Sequence, residues 1–221
     1  MKIKKIIYDF AGLIAPPSPS LNVIHKIDEL LKTLGRERKV LDLGSGKKRI
    51  SPEAVNIDIN FYPGVDVIGD VHHLPFGDGH FDLVVARAVL EHVEDPAGVI
   101  SQIRRVLKKD GYVYAEIPFL QPYHAAPGDF QRYTLKGIET LFSEFYKIDS
   151  GVCVGPTSAI LGLMQEYIAF FIGVPVLRTA AYFMLGWLFA PFRYLDLFLV
   201  KRKKSHTIAS SLYFIGKKRT F

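Results

Sequence analysis

Apolar residues at Leu21, Ile24, Ile27, Leu30, Leu31 and Leu34 follow three- and four-residue spacing, which predicts a helix capped by Ser20 and ended by Gly35. Past it the period changes. Lys39-Val40-Leu41-Asp42-Leu43, Val55-Asn56-Ile57-Asp58-Ile59, Val65–Ile68 and Phe81-Asp82-Leu83-Val84-Val85-Ala86 are short, nearly continuous apolar runs of the kind that form central parallel strands. Asp95 then caps a helix with Pro96 at its first position, Val99, Ile100, Ile103, Val106 and Leu107 on one face, Lys108 and Lys109 at its end, and Gly111 beyond. A fifth strand, Tyr112–Ile117, stops at Pro118, and a helix follows over about 135–142. Strand and helix alternate, so residues 36–145 are expected to form a doubly wound α/β sheet. Two further strands are expected at Phe145–Val154 and Ser210–Ile215.

Composition changes this picture at two places. Residues 156–200 contain four charged side chains (Glu166, Arg178, Arg193 and Asp196) and ten of the 28 aromatic residues, so this stretch differs in kind from the sheet around it. The net charge of +6 is also local: residues 201–221 hold seven bases and no acid, and the first 200 residues carry 21 bases against 22 acids. A basic pI usually hints at nucleic acid, but a neutral body with a basic tail argues against a nucleic-acid partner. One cysteine, Cys153, cannot form an internal disulfide, so the expected location is cytoplasmic. Asp9 and the prolines at 16, 17 and 19 interrupt the N-terminal apolar run, which therefore reads as a leader strand or arm rather than a signal peptide.

Candidate chemistry gathers where strands end. Gly44 and Gly46 directly follow the first strand, where the backbone must turn tightly and let a ligand approach. Asp58 ends the second strand on the same sheet edge, placed to accept from a ribose. Asp70, with Val71-His72-His73-Leu74-Pro75-Phe76, follows the third strand, and the fourth leads to Ala86-Arg87-Ala88-Val89-Leu90-Glu91-His92-Val93. In this order the motifs closely resemble those of the class I S-adenosylmethionine-dependent methyltransferases, in the methyltransferase type 11-like subgroup. Its pattern reads Leu-Asp-Leu-Gly-x-Gly, Asp-x-x-x-Leu-Pro-Phe, Phe-Asp-x-Val and Leu-Glu-His-Val. The resemblance runs from about Val40 to Phe145.

That resemblance implies S-adenosylmethionine as cofactor and a Rossmann-like sheet, mostly parallel with its last strand antiparallel. It puts Asp42, Gly44, Ser45 and Gly46 at the turn under the methionine part, Asp58 on the ribose, Asp70 and the Val71 N–H on adenine, and Ala86 beside the sulfonium. Carboxylates suit a diol, an amine and a cationic sulfonium and would repel a phosphate, which disfavours a nicotinamide dinucleotide. Lys48 stands where many members have a third glycine, and 47–54, with Pro52, leaves room only for a short or distorted crossover helix. Lys47, Lys48 and Arg49 are expected to be solvated.

Methyl transfer is an in-line displacement, so the chain needs alignment and at most one base. His92 and His124 are the candidate catalytic residues, and Tyr123, Asp129, Arg132 and Tyr133 the candidate acceptor site. The competing roles are structural: His92 as a loop-fixing residue, and Arg132 with Asp129 as a pin for the loop. His72 and His73 point apart, and with no Cys-x-x-Cys or His-Glu-x-x-His spacing no metal site is expected.

Residues 1–155 and 209–221 therefore read as the methyltransferase domain, and 156–208 as an apolar helical insertion before the final strand. Its longest uncharged runs, 167–177 and 179–192, fall short of a membrane span. With Lys201-Arg202-Lys203-Lys204 next to them they predict a helical hairpin against a membrane surface, involving residues 156–204 and Trp187, with a lid or dimer interface as the other readings. The expected function is methyl transfer to an unidentified small-molecule, lipid-linked or glycan acceptor at the membrane periphery. The alternative is a non-catalytic methyltransferase-like membrane adaptor. The oligomeric state is not legible.

Overall fold

The computed structural model describes residues 21–35, 37–47, 49–125 and 127–219. The N-terminal arm with its prolines, the Ser20 cap, Lys48, Ala126, and the side chains of Leu21 and Ile24 lie outside that description. Helix α1 (Leu21–Leu34) buries Ile27, Leu30 and Leu31, and Gly35 turns the chain out of it with φ +79°. The apolar runs become β1 (Val40–Leu43), β2 (Val55–Asp58), β3 (Val67–Ile68) and β4 (Phe81–Arg87). The third is half the expected length.

Helix α2 (Pro96–Val106) starts as expected, with Asp95 accepting from the Gly98 N–H and Pro96 in the first turn. Its end corrects the sequence reading. Leu107 is already extended and fully buried, and strand β5 runs from Leu107 to Pro118, so Lys108 and Lys109 belong to the strand. Lys108 Nζ reaches the Asp82 carboxylate at 2.7 Å, and the same carboxylate accepts from the Lys39 N–H at 2.9 Å. Asp82 thereby ties the starts of β1, β4 and β5 together.

Helix α3 (Leu135–Leu141), capped by Thr134, leads to β6 (Phe145–Val154). Then come α4 (Pro156–Phe170), α5 (Pro175–Arg193) and α6 (Asp196–Leu199), before β7 (Ser211–Lys218) closes the sheet. The seven strands lie in the order β3-β2-β1-β4-β5-β7-β6, with β7 antiparallel to both neighbours and β1–β5 parallel. Apolar clusters fill both faces: Leu41, Leu43, Val84 and Phe214 with α2 and α3 on one, and Val40, Leu83, Val85 and Tyr114 with α1 on the other. The order reverses between β1 and β4, so their carboxyl ends diverge and leave a crevice, the place where open α/β sheets bind ligands.

The link from β1 to β2 contains no helix among the described residues. Arg49 organises it instead: its guanidinium pairs with both Asp66 oxygens at 2.8 and 3.1 Å and donates to the carbonyls of Ala54 and Gly64. The expected solvated role for Arg49 is therefore replaced by an anchoring one, because a rigid fork can hold four acceptors where a helix would otherwise set the loop. Arg105 of α2 plays a similar part, donating to the carbonyls of Leu74 and Phe76 and so fixing the Leu-Pro-Phe segment beyond β3.

Candidate active site

The carboxyl ends of β1, β2 and β4 open on a groove of about 1280 Å³. Gly44 and Gly46 form its floor, both in the left-handed region at φ +58° and +57°. A Cβ on Gly44 would stand 2.5 Å from Val89, whereas the space beside Gly46 is open. The floor is thus kept bare for two reasons, backbone conformation and close packing. Asp58 holds this turn in place: Oδ2 accepts from the Gly46 N–H at 3.0 Å and Oδ1 from Asn60 at 2.9 Å, leaving one lone pair on each oxygen for a ligand.

Asp70 and Val71 line the next part of the wall. Asp70 Oδ1 accepts from the His72 N–H and lies 2.8 Å from His72 Nδ1, and these bonds hold its carboxyl below the usual carboxylate range. Ile59, Asn60, Phe61 and Tyr62 also line the groove, a wall that the sequence reading missed. The available signal was their position directly after Asp58 at a strand's carboxyl end.

Three expected cofactor contacts sit differently. Asp42 is buried beneath the turn, with Oδ2 3.3 Å from Arg87 Nη2 and Oδ1 without a described hydrogen-bond partner. Burial pushes its carboxyl up to about 6, against the pull of Arg87. Ser45 is buried, its hydroxyl likewise without a described partner. Ala86 is fully enclosed in the core, and Ala88, two residues on and at φ +51°, reaches the groove instead. Ala86 is still flanked by Leu43 and Ala115 within the sheet, whereas Ala88 lies past the end of β4.

The far end of the groove is made by the segment after β4 and the loop after β5. Leu90–His92 form a single 3-10 turn, and His92 lines the groove with its Nδ1 on the Gly128 carbonyl. The loop is locked onto that turn: the Phe130 N–H donates to the Glu91 carbonyl at 2.8 Å, and the Gln131 amide to the carbonyls of Leu90 and Val93. Arg132 and Asp129 clasp each other with two hydrogen bonds, and Asp129 Oδ2 also accepts from the His124 N–H at 2.7 Å. The Arg132 guanidinium drives the Asp129 carboxyl far below its ordinary range. Both residues are therefore engaged in an internal clamp of the loop. Tyr133 packs against the core, and Tyr123 is exposed.

Glu91 is the residue here that sequence reasoning did not single out. It is 0% exposed, neither carboxylate oxygen has a described hydrogen-bond partner, and burial pushes its carboxyl up to about 7. Its Oε1 lies 3.8 Å from His92 Nε2 and 3.9 Å from His124 Nε2, and the two rings meet edge to face at 5.2 Å. The two expected catalytic histidines, 32 residues apart in the chain, are thus brought together.

Residues 47–115 match the family model described as a methyltransferase domain. The matched stretch is about a third of the chain; it begins just past the glycine turn and takes in β2 to β4 and most of β5. Among curated proteins, an uncharacterized 37.1 kDa protein in a transposon of Streptomyces fradiae is 36% identical over 85 residues, 32% of this chain and 25% of that one. An uncharacterized methyltransferase of Schizosaccharomyces pombe is 41% identical over 46 residues, 21% of this chain and 16% of that one. The chain spans a quarter or less of the length of both relatives. Among solved structures, 1,6-didemethyltoxoflavin-N1-methyltransferase of Burkholderia thailandensis superposes with TM-score 0.55 and 16% identity, covering 92% of this chain and 80% of that one. This superposition shows that the chain has the fold of that structure, a Rossmann-like α/β sheet.

Proposed function

We propose that the protein is an S-adenosylmethionine-dependent methyltransferase. The observation that carries this is the glycine turn tied to the Asp58 carboxylate at the carboxyl end of the sheet. This donor set fits the cofactor. Bare backbone at Gly44 and Gly46 admits the amino-acid part, the remaining lone pairs of Asp58 suit a ribose diol, and Asp70 with the Val71 N–H suits an adenine edge. The solved structure of the Burkholderia thailandensis methyltransferase holds S-adenosylhomocysteine, which supports the same ligand class here.

When bound, the cofactor supplies an electrophilic methyl group on a sulfonium. Gly44, Gly46, Asp58 and Asp70 would hold the cofactor, and the residues at the far end of the groove would align an acceptor to receive that methyl group. The acceptor's proton then leaves toward a basic group at the far end of the groove, where His92 and His124 stand. The loop clamp of Asp129 and Arg132 keeps that end in one geometry.

The acceptor is taken to be small-molecule, lipid-linked or glycan in class and to be met at an anionic membrane surface. Support comes from α4 and α5, which leave Leu163, Tyr167, Phe170, Leu177, Met184 and Leu188 exposed beside the exposed run Lys201–Lys204. No helix among the described residues is long and apolar enough to cross a membrane.

Isothermal titration of the purified protein with S-adenosylmethionine, with NADH as the control ligand, tests the cofactor. Micromolar binding of the first alone, weakened at least tenfold in both Asp58→Ala and Asp70→Ala, is expected. Absence of binding by a folded protein would overturn the enzyme reading.

A further inference from the structure

We propose that Glu91, His92 and His124 form a binding site for one divalent transition-metal ion at the acceptor end of the groove. One ligand atom from each lies within 4.8 Å of the others. The second, independent observation is the state of Glu91: a carboxylate with no exposed surface and no described hydrogen-bond partner, aimed between two imidazoles. Burying a carboxylate without a donor is costly, and native proteins satisfy such a group with a partner or a cation.

The tautomers decide what that partner is. His92 Nδ1 meets the Gly128 carbonyl, and His124 Nδ1 meets the Pro122 carbonyl at 3.0 Å. A carbonyl only accepts, so each Nδ1 carries the hydrogen and each Nε2 presents a lone pair toward Glu91. Arg132 Nη2 lies 3.3 Å from His124 Nδ1, but its hydrogens are directed to Asp129 Oδ2 at 2.7 Å and the Pro122 carbonyl at 3.1 Å. Two imidazole lone pairs therefore converge on the Glu91 carboxyl, which stands 3.8 and 3.9 Å from them and closes a hydrogen bond with neither. Backbone carbonyls behind the imidazoles are also the outer-shell arrangement that orients metal-ligating histidines.

Charge and ligand type narrow the ion. Two neutral imidazoles and one carboxylate carry −1, and the neighbouring Arg132 is offset by its clasp with Asp129. Mixed nitrogen and oxygen donors suit zinc, manganese, iron or cobalt better than magnesium or calcium, which favour oxygen alone. With metal–ligand bonds of about 2.1 Å the donors must close to roughly 3–3.5 Å apart, a small movement for the half-exposed His124 ring. Of the three ligands His92 lines the groove, so a coordination position left open on its side would suit an acceptor hydroxyl whose proton the ion would make easier to remove. That last role rests on the methyltransferase reading. The ion site itself does not.

The test is calorimetric titration of the chelator-treated, full-length protein with Zn²⁺, and with Co²⁺ followed by its visible absorption. One equivalent binding at micromolar Kd or tighter is expected, with cobalt giving a d–d band, and both should weaken at least tenfold in His124→Ala and in Glu91→Gln. The His124 ring is half exposed, so that variant folds even if the buried Glu91 substitution does not. No stoichiometric binding, or binding unchanged in His124→Ala, overturns the proposal. S-adenosylmethionine titrated into the same samples separates the two readings: zinc binding without it leaves the ion site standing and sinks the methyltransferase, and the reverse sinks only the ion site.

Discussion

At the scale of single residues, the site is built from carboxylates whose environments differ: Asp42, Asp58 and Glu91 are buried and Asp70 is exposed. Asp58 and Asp70 are satisfied by backbone donors, whereas Asp42 is enclosed with one unpartnered oxygen and is held up to about 6 by burial. Its folded-state value exceeds its unfolded one, so the folded chain retains a proton that the unfolded chain releases, and the residue's contribution to stability falls as pH rises from about 4 to 6. Asp42→Asn keeps the shape and removes the charge. It is expected to raise thermal stability at pH 7.5 by about 1–3 kcal/mol, and the gain should disappear near pH 4, as read from unfolding curves across pH. A variant less stable than the parent at pH 7.5 would mean that the Arg87 ion pair outweighs the burial. What was legible at this scale was residue type by position. The glycines and Asp58 follow strands, and any ligand at a sheet's carboxyl edge needs them there. Ala86 was misplaced because it is still paired on both sides within β4, and the chain opens to the groove only beyond the strand, at Ala88; Glu91 was missed because its neighbour His124 comes from another loop.

At the scale of elements, the periodic segments were legible and their ends were not. Strand β6 matches its expected span, but α2 stops at Val106 because Leu107 gains more by entering the sheet between β4 and β7 than by prolonging a helix face. Nothing local in Leu107-Lys108-Lys109 distinguishes the two outcomes, since the deciding contacts, Asp82 among them, are distant in sequence. The α4 to α6 segment has a similar long-range element. Asp196 is buried at the start of α6 and accepts from the backbone N–H groups of Thr157 and Ser158 at 2.8 and 2.9 Å, capping α4 from 38 residues away. Gly155 leaves it room, since a Cβ there would stand 2.5 Å from the carboxyl. Asp196→Ala strips two first-turn donors of their acceptor and is expected to cost about 1–2 kcal/mol. Hydrogen exchange should locate the loss in α4 and α6. Uniform exchange throughout the chain, or no loss of stability, would contradict this assignment of Asp196 as the clasp of the helical segment.

At the scale of the whole molecule, apolar clusters cover both faces of the sheet, and the exposed aromatic residues of α4 and α5 are followed in the chain by the four bases Lys201–Lys204. A lid would bury the aromatic residues of α4 and α5 against the domain, but Tyr167, Phe170, Phe171 and Phe192 are each more than half exposed. A second copy could cover them, but it would gain nothing from four consecutive bases at Lys201–Lys204, whose mutual repulsion an anionic lipid surface relieves. Each base near such a surface contributes about 1 kcal/mol, so removing all four weakens attachment by as much as about 1000-fold while the apolar term remains. The protein is therefore expected to sediment with phosphatidylserine-containing vesicles at low salt, to stay in solution with phosphatidylcholine alone, and to be released from the former as salt rises. Replacing Lys201, Arg202, Lys203 and Lys204 with Ala should abolish the lipid selectivity and leave S-adenosylmethionine binding unchanged, since these residues lie outside the groove. A protein that remains in solution with anionic vesicles but runs as a dimer would assign the same surface to a second copy of the chain, and the acceptor would then be sought among soluble compounds.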